Sequence, residues 1–189
     1  MMNIKMGIKV LTVAGILSLS LASVAPAMAD NSVNQEVTCP GTPALTAVIT
    51  DKTLTAVTFS QSEQQPTGSL LLNVSDSTCL GTGWNVTVQT SAFAYTGSGS
   101  GSAIPAANLL LGTPASPVFV SGQDTPGLPA AVGTGGTLNS AIKVIMADAN
   151  NGMGSYTQSL PVTLTIPARS VAGTYTATLT VTKAAVPGA

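Results

Sequence analysis

The amino-acid sequence predicts an all-β protein, a single antiparallel β-sandwich of about nine strands joined by long Gly-, Pro- and Ser-rich loops. From residue 43 onward, apolar residues recur mainly at every second position. This period is typical of strands with one buried and one solvated face. Clusters of Gly, Pro, Ser and Asp bound these runs, and no long stretch has helical spacing. We therefore expect one domain over residues 30–189, a length that suits a single core.

The clearest strand is GTYTATLTVT, in which every second residue from Tyr175 to Val181 is apolar and threonines occupy the opposite face. Pro161, in LPVTLTIP, lacks an N–H, so we expect its nitrogen to face a sheet edge or to lie at the strand's beginning. In chain order, the predicted strands are ALTAVITD, LTAVTFS, SLLLNVSD, WNVTVQTSAF, NLLLGT, SPVFVSG, AIKVIMA, LPVTLTIP and GTYTATLTVT.

Two segments, residues 95–107 and 122–139, interrupt this pattern with Gly, Ser and Pro. We interpret them as loops within the domain, which serve either as binding surfaces or as mobile connections. A third segment, DANNGMGSY from Asp148, resembles the start of a calcium loop but lacks its glycine and its later glutamate. Asn151-Gly152 instead predicts the tight turn of a hairpin, and no metal site is expected.

The N-terminal residues have the order of a secretory signal peptide. Lys5 and Lys9 precede an apolar run that ends in Ala27-Met28-Ala29. We expect a signal peptide over residues 1–29, with cleavage between Ala29 and Asp30. No membrane insertion is expected after its removal, and the C-terminal KAAVPGA has no covalent anchoring motif. The expected location is therefore secreted, either extracellular or associated with the cell surface.

Charge and residue content argue against several classes of function. Removal of the predicted leader leaves four basic residues against seven acidic ones, so no basic surface for nucleic acid is expected. The chain contains no histidine, and its carboxylates are scattered along the sequence. No Gly-x-Ser-x-Gly motif is present. We therefore predict no enzyme, no catalytic residues and no cofactor.

The two cysteines, Cys39 and Cys79, both lie in the part predicted to be exported. Disulfides persist in that compartment. A metal or redox site is disfavoured because the chain has no histidine and no Cys-x-x-Cys pair. We therefore predict a Cys39–Cys79 disulfide that connects the early strands to the entrance of the strand containing Trp84.

The order of several short motifs resembles the WxL domain, a family of secreted surface domains of Gram-positive bacteria. Trp84-Asn85-Val86 is similar to the first Trp-x-Leu motif of that family, and Gly152-Met153-Gly154 is similar to its Gly-x-Gly turn. Gly173-Thr174-Tyr175 is similar to the start of its final strand. The second Trp-x-Leu position is occupied by Val181-Thr182-Lys183, which lacks the tryptophan. The resemblance covers residues 83–182.

This resemblance implies a β-rich domain that attaches non-covalently to peptidoglycan and associates with other surface proteins. Trp84, Val86, Tyr175 and Val181 are then the candidate motif or glycan-contact residues. The strand pattern places Trp84 on one face with Val86 and Val88, which favours core packing of the indole over a sugar platform.

Two functional hypotheses follow from the sequence. The first is a non-enzymatic surface protein that attaches non-covalently to the cell wall or envelope. The alternative is a structural subunit of an extracellular fibre or matrix, in which low charge and Thr-rich strands permit self-association through sheet edges.

Overall fold

The strands follow the alternation of apolar and polar residues, and the protein is all-β as predicted. The structure is a computed structural model that describes residues 35–50, 54–123 and 126–185. The predicted signal peptide and its cleavage position between Ala29 and Asp30 lie outside the described residues. The strands are β1 (Leu45–Ile49), β2 (Thr67–Asp76), β3 (Trp84–Thr90), β4 (Ala94–Thr96), β5 (Leu109–Leu111), β6 (Val118–Gly122), β7 (Ala130–Ala131), β8 (Gly136–Thr137), β9 (Ile142–Ala147), β10 (Gly154–Leu164), β11 (Thr174–Thr176) and β12 (Leu179–Ala185).

The first sheet has the strand order β1-β2-β10-β5-β8, with β6 also paired to β10. Its centre is the antiparallel pair of β2 and β10, in register from Gly154 opposite Asp76 to Thr163 opposite Thr67. On its other edge β10 pairs first with β6, through residues 154–157, and then with β5, through residues 162–164.

Pro161 corrects one expectation, because it lies inside β10 and neither at its beginning nor in an edge strand. Its carbonyl accepts a hydrogen bond of 2.8 Å from the Gly112 N–H. The N and C=O of one residue point to the same side of a strand, so the donorless nitrogen also faces this neighbour. β5 ends at Leu111, directly before Gly112. The sheet therefore tolerates this proline because the neighbouring strand stops beside it.

The second sheet has the order β12-β3-β9-β7, and β4 and β11 form a separate two-stranded ribbon. Alternate residues of both larger sheets point into a common core, and these buried apolar residues include Leu70, Leu72, Val74, Trp84, Val86, Val88, Leu111, Leu138, Val144, Ile145, Tyr156, Leu160 and Val162.

One polar side chain also lies in this core. Gln158 of β10 is buried, and its Nε2 donates to the carbonyls of Ala115, at 2.9 Å, and Val144, at 3.0 Å. Val144 belongs to β9, so the amide connects the two sheets. Its Oε1 has no hydrogen-bond partner among the described residues, which costs about 1–3 kcal/mol for a buried acceptor.

Two predicted strands differ from the structure. LTAVTFS, residues 54–60, lies outside any strand, although its alternation is that of a strand. GTYTATLTVT is divided at residues 177 and 178 into β11, which pairs with β4, and β12, which pairs with β3. The alternation of exposed and half-buried residues continues across the break. The pattern thus predicted the side-chain directions correctly but could not show that the strand changes partner.

The predicted hairpin at Asn151-Gly152 is wrong. The strands before and after it, β9 and β10, belong to different sheets, so the connection crosses the sandwich. Its tight turn lies slightly earlier, where the Asn151 N–H donates to the Asp148 carbonyl at 3.0 Å. Asn150 adopts the positive φ that such a turn uses, at 65°. Asn and Gly punctuate both kinds of connection, so their identity does not distinguish a hairpin from a crossing.

The two predicted loops carry short elements of their own. In the first, Phe93 and Ile104 exchange backbone hydrogen bonds of 2.8 and 3.0 Å, and Ile104 is buried. A single 3₁₀ turn follows at Ala106–Asn108. The second loop contains β7 and β8, so it is partly built into both sheets. Among the described residues there is no helix long and apolar enough to span a membrane.

The predicted disulfide is present. Cys39 and Cys79 are bonded, with their Cα atoms 5.8 Å apart. Cys39 precedes β1, and Cys79 lies in the connection between β2 and β3. The bridge therefore closes the chain around β1 and β2 and ends five residues before Trp84.

We predict that the double substitution Cys39→Ser with Cys79→Ser lowers the free energy of unfolding by about 4 kcal/mol. The two cysteines are 40 positions apart, and loss of a bridge over that distance frees the unfolded chain. Urea unfolding followed by circular dichroism measures the change. Reduced wild-type protein is the control and should match the variant. A variant as stable as the oxidised wild type would contradict the prediction.

Candidate functional site

Trp84, the first residue of β3, lies in the core with only 1% of its surface exposed. Its ring centroid is 6.5 Å from that of Tyr156 in the opposite sheet. Its Nε1 donates to the Gly152 carbonyl at 3.1 Å. An indole needs such a partner for its N–H when it is buried. Trp84 therefore presents no face to a sugar in this structure and acts as a packing residue.

The acceptor of that bond belongs to the Gly-x-Gly segment. Gly152 has a φ of +73°, and a Cβ added to it would lie 2.4 Å from the Ala147 Cβ and 3.0 Å from the Trp84 Nε1. Both the backbone conformation and the close approach require glycine here. The first Trp-x-Leu-like motif and the Gly-x-Gly segment, 68 residues apart in sequence, thus form one contact.

The other motif positions lie on the neighbouring strand. β12 pairs with β3 so that Val181 is opposite Val88 and Lys183 is opposite Val86. Val86 is buried and Val181 is half-buried. The Lys183 Nζ donates a hydrogen bond to the carbonyl of Leu45 in β1. The sequence did not indicate that the second motif position lies beside the first in the same sheet.

Tyr175 lies opposite Tyr95 in the ribbon of β11 and β4, with ring centroids 5.3 Å apart. The Tyr175 hydroxyl donates to the Val171 carbonyl at 2.8 Å, and the Tyr95 hydroxyl donates to the Ala172 carbonyl at 3.0 Å. A Cβ at Gly101 would lie 2.5 Å from the Tyr95 ring, so the Gly-Ser loop is held closely against the aromatic pair. Tyr175 is therefore separate from Trp84, and the four candidate residues do not form one site.

Tyr175 does line an open cavity of about 490 Å³, which we name the apolar groove. Its two walls are residues 54–60 and 170–177, and its floor consists of core side chains from Leu70, Leu109, Val162 and Leu164. None of the described residues that line it carries a charge. The sandwich is open at this place because residues 54–60 pass over the core without pairing to a strand.

A second surface is the outer face of the first sheet, where two rows of side chains cross β1, β2, β10 and β6. Sequence alternation alone does not reveal it, because the rows depend on strand register. The first row is Val48, Asn73, Thr157 and Val118. The second is Thr46, Ser75, Ser155 and Ser121. We name these eight residues the hydroxyl face.

The hydroxyl face contains a shallow, uncharged trough of about 210 Å³, which is bounded by Val48 on one side and by Val120 of β6 on the other. In its floor, the hydroxyls of Ser75 and Ser155 are 2.9 Å apart. Within the described residues, the amide of Asn73 and the hydroxyl of Thr157 make no side-chain hydrogen bond. These two groups face each other in register and are available to a ligand.

Among the described residues that line the two surfaces, none is a carboxylate, a histidine, a lysine, an arginine or a cysteine. Asp76, the one buried carboxylate among the described residues, accepts hydrogen bonds from the Thr78 N–H and hydroxyl, at 2.9 and 2.7 Å, so it shapes a turn. In the described ranges, no group of three or more His, Cys, Asp or Glu residues could hold a metal ion. The chemistry of both surfaces is suited to binding through hydroxyl, amide and apolar groups.

Comparison with known families now identifies the domain. The chain matches the WxL domain, described as surface cell wall-binding, over residues 40–187. This protein belongs to the WxL domain family. The match begins well before the region 83–182 that the motifs indicated, so β1, β2 and Cys79 also lie within the WxL domain. Searches of curated proteins and of solved structures find no match.

We predict that Trp84→Ala lowers the free energy of unfolding by about 3–5 kcal/mol, the usual loss for a buried aromatic side chain. Thermal and urea unfolding measure it. Trp84→Phe is the informative comparison, because it retains a ring in the core but removes the donor to the Gly152 carbonyl, and it should lose less. A Trp84→Ala protein that is fully stable and has lost only wall binding would overturn the packing role.

We also predict that Gly152→Ala destabilises the protein by more than 1 kcal/mol, because it combines a positive φ with a steric clash against Ala147. Gly41→Ala is a suitable control, since Gly41 has a similar φ of +77° but open space around its Cβ position. Urea unfolding of both variants separates the backbone contribution from the clash. Equal losses would show that the clash is relieved at no cost.

Proposed function

We propose that this protein attaches non-covalently to the bacterial cell wall and catalyses no reaction there. The observation that carries the proposal is the match to a surface cell wall-binding domain over residues 40–187. Two uncharged surfaces without catalytic groups support it. The low charge suits a protein that works outside the cell among neutral glycans, and the N-terminal leader pattern supports export.

We propose the hydroxyl face as the wall-binding surface, with the glycan strands of peptidoglycan as its ligand. Sugar rings present hydroxyl and N-acetyl groups at their edges and C–H groups on their faces. The free amide of Asn73 and hydroxyl of Thr157 match the first kind of group. The apolar sides at Val48 and Val120 match the second. Ligand sites usually combine apolar contacts with a few precisely positioned polar groups.

Retention on purified peptidoglycan tests this proposal. We predict that the double substitution Asn73→Ala with Thr157→Val weakens retention about thirtyfold, because two hydrogen bonds of about 1 kcal/mol each are lost. The matched control is Asn85→Ala with Thr87→Val, which makes the same changes on β3 of the other sheet. It should bind like the wild type.

Three outcomes of this experiment are informative. Wild-type retention no greater than that of an unrelated acidic β-domain would end the wall-binding proposal. Equal losses in the two double variants would leave wall binding intact but remove the hydroxyl face as its site. Release of soluble sugar or peptide fragments from the peptidoglycan would contradict the non-enzymatic part.

A specific observation also favours the second candidate, a structural subunit of a surface fibre or matrix. All five residues of β6, Val118–Gly122, are exposed. Within the described residues β6 pairs with β10 alone, so its other edge is free. An exposed apolar strand edge is a template for pairing with another chain.

A further inference from the structure

The segment Leu54–Ser60 has the sequence of a strand but pairs with no strand of the described chain. Its alternation and its Val, Thr and Phe content are those of a β-strand. Among hydrogen bonds between described residues, none uses a peptide N–H or C=O of residues 55–59. We name residues 55–59 the unpaired segment. It is an open edge that could accept a strand.

The side chains of the unpaired segment are as open as its backbone. Val57 and Phe59 are 41% and 57% exposed. Beside them lies the apolar groove, whose floor is made of core residues. Its volume of about 490 Å³ falls within the range of about 300–1,000 Å³ that is usual for ligand sites. Unpaired peptide groups next to an apolar groove are the two features that strand addition needs, hydrogen bonds from one and side-chain pockets from the other.

The chain itself contains a segment with matching properties. In β6, Val118 and Val120 are 62% and 57% exposed, and Phe119 is 37% exposed. β6 has a free edge and no charged residue, as the groove has no charged lining. Strand β6 and the apolar groove cannot readily meet within one molecule, because they lie at opposite ends of β10. β6 pairs with residues 154–157, whereas Val162 and Leu164 at the other end of β10 form part of the groove floor.

We propose that the unpaired segment and the apolar groove of one molecule accept strand β6 of a second copy. The free edge of β6 hydrogen-bonds to residues 55–59, and its apolar side chains enter the groove. The two surfaces are different, so the contact is head-to-tail. Each added copy then exposes a new groove at one end and a new β6 at the other, and assembly continues as a chain of molecules.

This contact is small, because it joins one five-residue strand to one segment of similar length. Stable complexes bury about 800 Å² on each partner, so we expect association that depends strongly on protein concentration. Export of many copies to one surface would supply that concentration. The inference deepens the structural-subunit candidate and does not depend on wall binding.

Cysteine cross-linking tests the pairing directly. The described chain has no free cysteine, so the single variants Val57→Cys and Val120→Cys each carry one new thiol. After mixing the two and mild oxidation, we expect the mixed dimer to exceed either homodimer several-fold. The control mixture pairs Val57→Cys with Leu80→Cys, which is 72% exposed and lies outside both surfaces. Peptide mapping verifies that Cys39–Cys79 remains intact.

Cross-linking of Val57→Cys with Val120→Cys no greater than in the control mixture would overturn the proposal. Predominance of the Val57→Cys homodimer would also overturn it, because the contact would then be symmetric.

Sedimentation velocity provides an independent measurement. Wild-type protein should sediment faster as its concentration rises, whereas Phe59→Lys should remain monomeric because its charge enters the apolar groove. Leu80→Lys is the matched control and should associate like the wild type. Equal behaviour of wild type and Phe59→Lys would overturn the proposal. Peptidoglycan retention of monomeric Phe59→Lys then tests wall binding separately, since the hydroxyl face is unchanged.

Discussion

The register between β2 and β10 determines both the core and the outer surface of this protein. Ten consecutive residue pairs hold the two strands together. On the inner side this register places Leu70, Leu72 and Val74 against the second sheet. On the outer side it places Asn73 beside Thr157 and Ser75 beside Ser155. A slip by one residue would exchange the two faces of a strand. Burial of the apolar face therefore fixes the register, and with it the positions of the polar residues on the outer face.

The residues that most resemble family motifs mainly stabilise this fold. Trp84 and Gly152 connect the first strand of the motif to the crossing between the sheets. The second motif position has lost its tryptophan, yet β12 still pairs with β3 along seven residues, and Lys183 bonds to β1. The strand survives because backbone pairing does not depend on that side chain. Loss of the second tryptophan is therefore compatible with an intact WxL domain.

Two open surfaces are thereby left for function, and their chemistry differs. The hydroxyl face offers free amide and hydroxyl groups on a strand-paired, rigid sheet. The apolar groove offers unpaired backbone and exposed apolar side chains at a place where the sandwich is incomplete. The first suits a glycan and the second suits a polypeptide strand. Strand β6 contributes Val118 and Ser121 to the hydroxyl face, so assembly through β6 and wall binding compete at that edge.

The sequence by itself determined the fold class, the disulfide and the side-chain directions of most strands. Period-two alternation is a local property, and with only two cysteines in the sequence each has one possible partner. The motifs at Trp84, Gly152 and Tyr175 also indicated a resemblance to the WxL family. Local pattern does not contain the identity of a strand's partner, however. For that reason the change of strand partner within residues 174–185 was not predictable, and neither was the connection from one sheet to the other at Asp148–Met153.

Only the tertiary structure decided where the surfaces for function lie. The hydroxyl face joins residues from β1, β2, β10 and β6, which are far apart in sequence and meet through register alone. The apolar groove exists because LTAVTFS, a strand by its sequence, finds no partner in the described chain. Alternation specifies which way a side chain points, whereas pairing between distant segments specifies what it meets.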